Sequence, residues 1–327
     1  MHRRRFLELS TAALISTAAG CRSAEPESAF TKPINKKIVL GFSQVGAEGG
    51  WRLANTKSIK EAAPLANVQL RFTDAQGKQE NQISHIQSFI DERVDVIAFS
   101  PIIEKGWDAV LHRAKAAGIP VVLTDRLIDS PDTSLFTSSI GADFIAEGNL
   151  AALYLSQDYA DRGTQVNVVE IQGAAGAAPT KQRAEGFLEA LNRKPRMRLV
   201  DKEPGDWTKA SGAKAMRKLL DRRSDIDAVF AQNDDMGLGA AEVLEEEGIK
   251  PGTDVRIVTV DATKAGMTAL AAGQLNYIVE CSPLIGRQLM DVVVDIYLGA
   301  SVSKRVLSKK IVFDQGMAQE ALPDRVY

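Results

Sequence analysis

The stretch AVFAQNDDMGLGA, residues 228–240, sets Asn233, Asp234 and Asp235 between an apolar run and a segment with small and apolar residues at helical spacing. An amide and two carboxylates at such a junction suit four kinds of chemistry: an acid/base pair, a metal site, a helix cap, or the polar grip of a binding pocket. Other polar residues repeat the placement. Gln44, Asp125 with Arg126, Gln172, Asp261 and Glu280 each follow directly on an apolar run. A single carboxylate there most often caps the next helix. One of the adjacent pair is expected to do so, with Asp234 well placed to cap a helix starting at Asp235, while Asn233 and the other carboxylate face a ligand.

The runs that precede these residues alternate regularly with amphipathic stretches. KIVLGF, VQLRFT, VDVIAFS, IPVVLTD and SLFTSSI read as strands, with helices beginning near Trp51, Gln79, Trp107 and Phe144. A second series, VNVVEIQ, MRLVDKE, IDAVFAQ, VRIVTVD and LNYIVECS, carries helices near Thr180, Trp207, Asp235, Lys264 and Ile285. Two successive βα arrays predict an α/β protein of two doubly wound, Rossmann-like lobes. In open α/β sheets ligands bind beyond the carboxyl ends of the strands, so the strand-end polar residues of both arrays converge if those edges face each other.

At 327 residues the chain is about twice the usual single-domain length. It is 45% hydrophobic and 25% charged with a formal net charge of -2, and no basic stretch beyond the N-terminus favours nucleic acid. Residues 1–21, MHRRRFLELSTAALISTAAGC, combine three arginines with a short apolar segment and small residues before Cys21. That pattern is an export signal; the arginine pair with Phe6 and Leu7 resembles a twin-arginine signal. Ala18-Ala19-Gly20-Cys21 resembles a bacterial lipoprotein processing site, which makes Cys21 the expected lipid anchor. Residues 22–36, with Ser, Pro, Glu and Lys, read as a tether. Cys281, the only other cysteine, is expected to be a free, mostly buried thiol.

GFSQVGAEGGWR, KQENQI, TDRLID, QNDDMGLGA and VTVDAT, in that order and spacing, resemble the periplasmic sugar-binding proteins of ABC transporters, the ribose- and galactose-binding group. The resemblance covers residues 37–327. It implies the type I periplasmic binding protein fold: two lobes joined by three crossovers and closing on one monosaccharide, galactofuranose or a similar aldose. It assigns residues 37–139 with 283–311 to the N-terminal lobe and 140–282 with 312–327 to the C-terminal lobe. Hinges are expected near Ser139 and Ile140, near Ser282 and Pro283, and near Val312. Trp51, Arg52, Asp125 and Arg126 become ligand-binding residues of the first lobe, and Arg183, Trp207, Asn233, Asp261 and Glu280 of the second or its boundary. The implied partners are a monosaccharide and a membrane permease, with no cofactor, no metal and a monomeric chain.

Those residue types suit sugars. Vicinal hydroxyls each donate and accept, so carboxylates and amides take their protons while the planar arginine fork donates to neighbouring oxygens, and flat aromatics cover the C–H faces. An enzyme is disfavoured. Asp234 and Asp235 are sequence neighbours at a helix start and do not aim at one reacting atom, and the three histidines and the serines show no metal or nucleophile spacing. A sugar-responsive regulator would need a helix-turn-helix ahead of the core, where this chain has the signal and tether. A binding protein serving a chemoreceptor or sensor kinase would use the same cleft and differ only in surface.

Overall fold

Buried apolar runs and the helices between them build two parallel-rich sheets. A computed structural model describes residues 36–327, so the expected export signal, Cys21 and nearly all of the expected tether lie outside the described residues. The first array holds β1 (Ile38–Gln44), α1 (Gly50–Leu65), β2 (Val68–Asp74), α2 (Gln79–Asp91), β3 (Val96–Phe99), α3 (Asp108–Ala116), β4 (Val121–Thr124) and β5 (Ser138–Gly141). The second holds α4 (Phe144–Asp158), β6 (Val166–Gln172), α5 (Ala178–Leu191), β7 (Met197–Pro204), α6 (Lys209–Arg222), β8 (Ala228–Ala231), α7 (Asp234–Glu246), β9 (Arg256–Asp261), α8 (Lys264–Ala271) and β10 (Tyr277–Glu280). The chain closes with α9 (Gly286–Tyr297), β11 (Arg305–Leu307), β12 (Val312–Phe313) and α10 (Gln315–Ala321).

Strand order is β11-β5-β4-β3-β1-β2 in one sheet and β12-β10-β9-β8-β6-β7 in the other. Every pairing is parallel except β12 with β10. Strands covered by helices on both faces are apolar along nearly all their length, and β3, β4 and β8 are buried at every residue. In each sheet the order reverses beside the first strand of its array, between β1 and β3 and between β6 and β8, which is where a doubly wound sheet opens a crevice.

The chain passes between the sheets three times. It leaves β5 at residues 142–143, and α4 then packs on α5, β9 and β10. It returns at residues 281–285, after which α9 packs on α1, β1 and β3. It crosses again at residues 308–311, between β11 and β12. Lys310 Nζ, on the third crossing, donates to Asp143 Oδ2 on the first at 3.1 Å. Ser139 and Ile140 sit inside β5, and Val312 opens β12. The two short edge strands β11 and β12 and the terminal helix α10 have no counterpart in the pattern read from the sequence.

Candidate functional site

Strands β1, β3 and β4 end side by side, so the loops beyond them bring Glu48, Trp51, Arg52, Ser100, Asp125 and Arg126 to one edge. Arg52 Nη2 donates to Asp125 Oδ2 at 2.6 Å, and Ser100 Oγ donates to the same oxygen at 3.3 Å. Arg126 Nη2 donates to Glu48 Oε2 at 2.6 Å, with Arg126 Nε 3.7 Å from Asp125. Asp125 holds φ at +60°, a costly conformation for a side-chain-bearing residue, and Gly141 makes room for it because a Cβ there would lie 2.7 Å from Asp125 O. Burial alone would raise the Asp125 carboxyl; Arg52 and Arg126 outweigh it and hold it below its ordinary value. Trp51 crosses the gap: its indole Nε1 donates to Cys281 O, and it belongs to the same buried apolar cluster as the second-sheet residues Phe230 and Val260.

The second sheet supplies the opposing wall. Arg183 on α5 donates through Nε to Glu147 Oε2 at 2.8 Å and through Nη1 to Gln232 O at 2.7 Å, and its Nη2 lies 3.9 Å from Asp261 Oδ1. Burial opposes the Arg183 charge, but Glu147, Cys281 and Asp261 more than offset it and raise the guanidinium above its ordinary value. Asp261, at φ +125°, is lifted well above the carboxylate range by burial, which Arg183 only partly counters. Trp207 takes φ +75° and lays its ring on Gly173, where a Cβ would collide with it. Both Arg126 and Arg183 face that ring, at 5.7 and 5.8 Å from its centre.

Asn233 corrects the expected cap. Its own Oδ1 accepts from Met236 N at 3.0 Å and caps α7, which begins at Asp234, because Asn233 keeps the extended backbone that an N-cap requires. Asp234 is fully buried and ties β9 to α8, accepting from Thr259 Oγ1 (2.6 Å), Thr263 N (2.7 Å) and Thr263 Oγ1 (2.9 Å). Neither carboxylate caps the helix, and Asp235 reaches the cleft.

Between the two walls lies a cavity lined by Trp51, Arg52, Asp125, Arg126, Arg183, Trp207, Asn233 and Asp261. Glu48, Gly49, Pro179, Asp235 and Cys281 complete the lining. The eight predicted residues are 3–9% exposed. Arg52 Nε, Arg126 Nε and Trp207 Nε1 are buried without a hydrogen-bond partner, and Asn233 keeps one amide proton and one carbonyl lone pair beyond its bonds to Trp207 O and Met236 N. Such a wall offers donors, acceptors and flat apolar faces at once. Two of its carboxylates, Glu48 and Asp125, stand in close ion pairs with Arg126 and Arg52.

Glu280 is not part of this lining. Successive strand side chains point to opposite faces, so where Cys281 faces the cavity Glu280 turns away, accepting from Arg325 Nη1 at 2.7 Å and Tyr327 OH at 2.8 Å. Cys281 is free and buried, as its isolation in the sequence predicts, and burial pushes its thiol well above its ordinary value. Glu48 escapes the strand-end rule because it lies four residues beyond β1, whereas Asp235, one residue inside α7, belongs to the junction singled out in the sequence. Among the described residues no cluster of three or more His, Cys, Asp or Glu is placed to hold a metal, and no helix is long and apolar enough to cross a membrane.

A model of the periplasmic binding protein domain matches residues 40–301. The galactofuranose-binding protein YtfQ of Escherichia coli K12 is 36% identical over 289 residues, 87% of this chain and 90% of that protein. A crystal structure of a Mycobacterium smegmatis protein in complex with β-D-fucofuranose shares 52% identity at a TM-score of 0.86, covering 88% of this chain and 95% of that one. The periplasmic binding protein of the arabinose ABC transporter of Shewanella sp. ANA-3, bound to α- and β-L-arabinofuranose, shares 37% identity at a TM-score of 0.84, covering 88% and 95%. With this fold, a cavity walled from two sheets and a family match over residues 40–301, the chain belongs to the periplasmic binding protein domain family.

Proposed function

We propose that the protein is the extracytoplasmic solute-binding component of an ABC importer, a non-enzymatic monomer that takes one neutral monosaccharide, galactofuranose or a similar aldose in its furanose form, into the cleft between its lobes. The observation that carries this reading is the polar cavity between the two walls. Three arginines and the carboxylates Glu48, Asp125, Asp235 and Asp261 converge on it from two sheets, with Trp51 and Trp207 as its flat faces. The three arginines there face carboxylates at least equal in number, which suits a neutral polyol and disfavours a sugar phosphate or sugar acid. The relatives bound to fucofuranose and arabinofuranose support the ring form.

In this reading the lobes, residues 37–139 with 283–311 and residues 140–282 with 312–327, rock about the three crossings, and ligand bridges the walls only when they meet, so the permease receives the loaded, closed shape. Residues 1–21 export the chain, and Cys21 tethers it to the membrane through residues 22–36; a Cys21→Ser chain recovered in the soluble fraction is the check on that anchor. The test of the function is a thermal-shift screen of the mature protein against neutral aldoses, sugar acids, amino acids and metal ions. A ligand at 100 times its Kd adds about 2.7 kcal/mol of apparent stability. A shift with neutral aldoses alone supports the reading, and a shift confined to amino acids or metals overturns it.

A further inference from the structure

Helix α1 lacks a cap of its own. Its N-cap is Gly49, which offers no side chain, and its first turn has no acidic residue to meet the positive end of the helix. The missing group arrives from the other wall. Asp235 Oδ2, on α7, accepts from Gly50 N at 3.2 Å. Gly49, at φ +142°, lets that carboxylate approach, because any Cβ there would crowd the same Oδ2 and L side chains rarely adopt this φ. Asp235 is not occupied by its own helix, since Asn233 caps α7. The next two residues of α1 are Trp51 and Arg52, so the turn that Asp235 holds carries two of the predicted cavity residues. Further along the helix, Asn55 Nδ2 donates to Pro283 O at 3.1 Å, which ties α1 to the second crossing as well.

We propose that Asp235 is a positioning residue that caps α1 from the opposite lobe only when the jaw is shut, making closure and the alignment of Trp51 and Arg52 one event. The inference rests on the sugar-binding reading, although the contact itself joins protein to protein. A bond completed after the ligand has entered acts on release rather than on capture. Loss of one such cap corresponds to about fivefold faster release, the equivalent of ~1 kcal/mol.

The experiment compares the mature wild-type chain with Asp235→Ala and Asp235→Asn. Arabinose and galactose release is followed by stopped-flow tryptophan fluorescence, and hydrogen exchange of the Gly50 amide is followed by NMR with and without sugar. The expected result is release about fivefold faster in Asp235→Ala, association within twofold of wild type, faster exchange at Gly50, and recovery of most of both effects in Asp235→Asn, whose amide oxygen still accepts. Unchanged release together with unchanged Gly50 exchange overturns the proposal, as does a change confined to association. A wild-type chain that binds no sugar refutes the functional reading instead. The sugar-free sample tests the coupling to closure: because the cap forms only in the shut jaw, Gly50 exchange without sugar should be equal in wild type and Asp235→Ala, and a difference there as large as with sugar would contradict the proposal. Matching thermal melts of the Asp235→Asn chain and wild type keep the comparison free of folding effects.

Discussion

Arg183 on α5 donates from Nε to Glu147 Oε2 on α4 at 2.8 Å, and both side chains are buried. The two helices come this close because each presents a glycine to the other. A Cβ on Gly148 would collide with Arg183 O, and one on Gly186 would collide with Ile145 O. Gly148→Ala is therefore expected to force α4 and α5 apart, at a cost of about 1–3 kcal/mol of stability. Because Arg183 moves with α5, sugar affinity should fall about tenfold or more, although Gly148 does not line the cavity. Denaturant melts and calorimetry on the same variant check both. A stable variant with wild-type affinity would show that the helix contact does not set the position of Arg183.

Asn233 and Glu280 both stand near strand ends, and the structure separates them. Asn233→Ala should cost about 2–3 kcal/mol of affinity through buried partners left unpaired, and about 1 kcal/mol of stability through the lost cap on α7. Glu280→Gln should leave affinity within about threefold, one ordinary hydrogen bond's worth, and lower stability, because Arg325 and Tyr327 lose a charged acceptor. Titration of both variants with one sugar decides it, and a larger affinity loss in Glu280→Gln than in Asn233→Ala would reverse the assignment.

Both residues show why part of the site could be read from the sequence and part could not. Asp125, Arg126, Asn233 and Asp261 follow apolar runs, and the geometry of a doubly wound sheet turns that position into a place at the crevice. Glu280 has the same linear signature, but the two-residue alternation of a strand sends it outward and Cys281 inward, and one position is beyond the precision of run boundaries. Asp234 looked like a cap because carboxylates at a helix start usually are; the amide of Asn233 had already taken that role. Glu48 lies in a glycine-rich loop without periodicity, and only its ion pairs with Arg126 and Arg52 reveal it. Strands β11 and β12 are three and two residues long, too short to show an alternating pattern.

Asp234 makes stability depend on pH. Burial pushes its carboxyl from 3.8 up to about 6, although Thr259 and Thr263 pull it back. Because the folded value lies above the unfolded one, its favourable contribution is complete below about pH 4 and is lost as pH rises through about 6. The difference amounts to roughly 3 kcal/mol. Asp234→Asn removes this titration, so relative to wild type it should gain stability between pH 4 and pH 7.5 in urea denaturation. An equal difference between the two chains at both pH values would contradict the assignment.

Cys281 faces the cavity from the second crossing with its sulfur buried. A thiol there is reached only through an open cleft, so saturating sugar should slow its reaction with a maleimide about tenfold or more, in line with the closed fraction at that occupancy. Mass spectrometry of the labelled chain measures it. Labelling at the same rate with and without sugar would mean that the ligand does not close this cavity.

The central claim is that one neutral monosaccharide binds between the two walls, and calorimetric titration of the mature protein with arabinose, galactose and fucose, repeated on Asp125→Asn, tests it most directly. The account predicts one site per chain with a Kd on the order of a micromolar or tighter for at least one of these sugars, and an affinity about tenfold or more weaker in the variant, because Asp125 anchors both Arg52 and Arg126. Absence of heat with every sugar, or a titration that Asp125→Asn leaves unchanged, would contradict it.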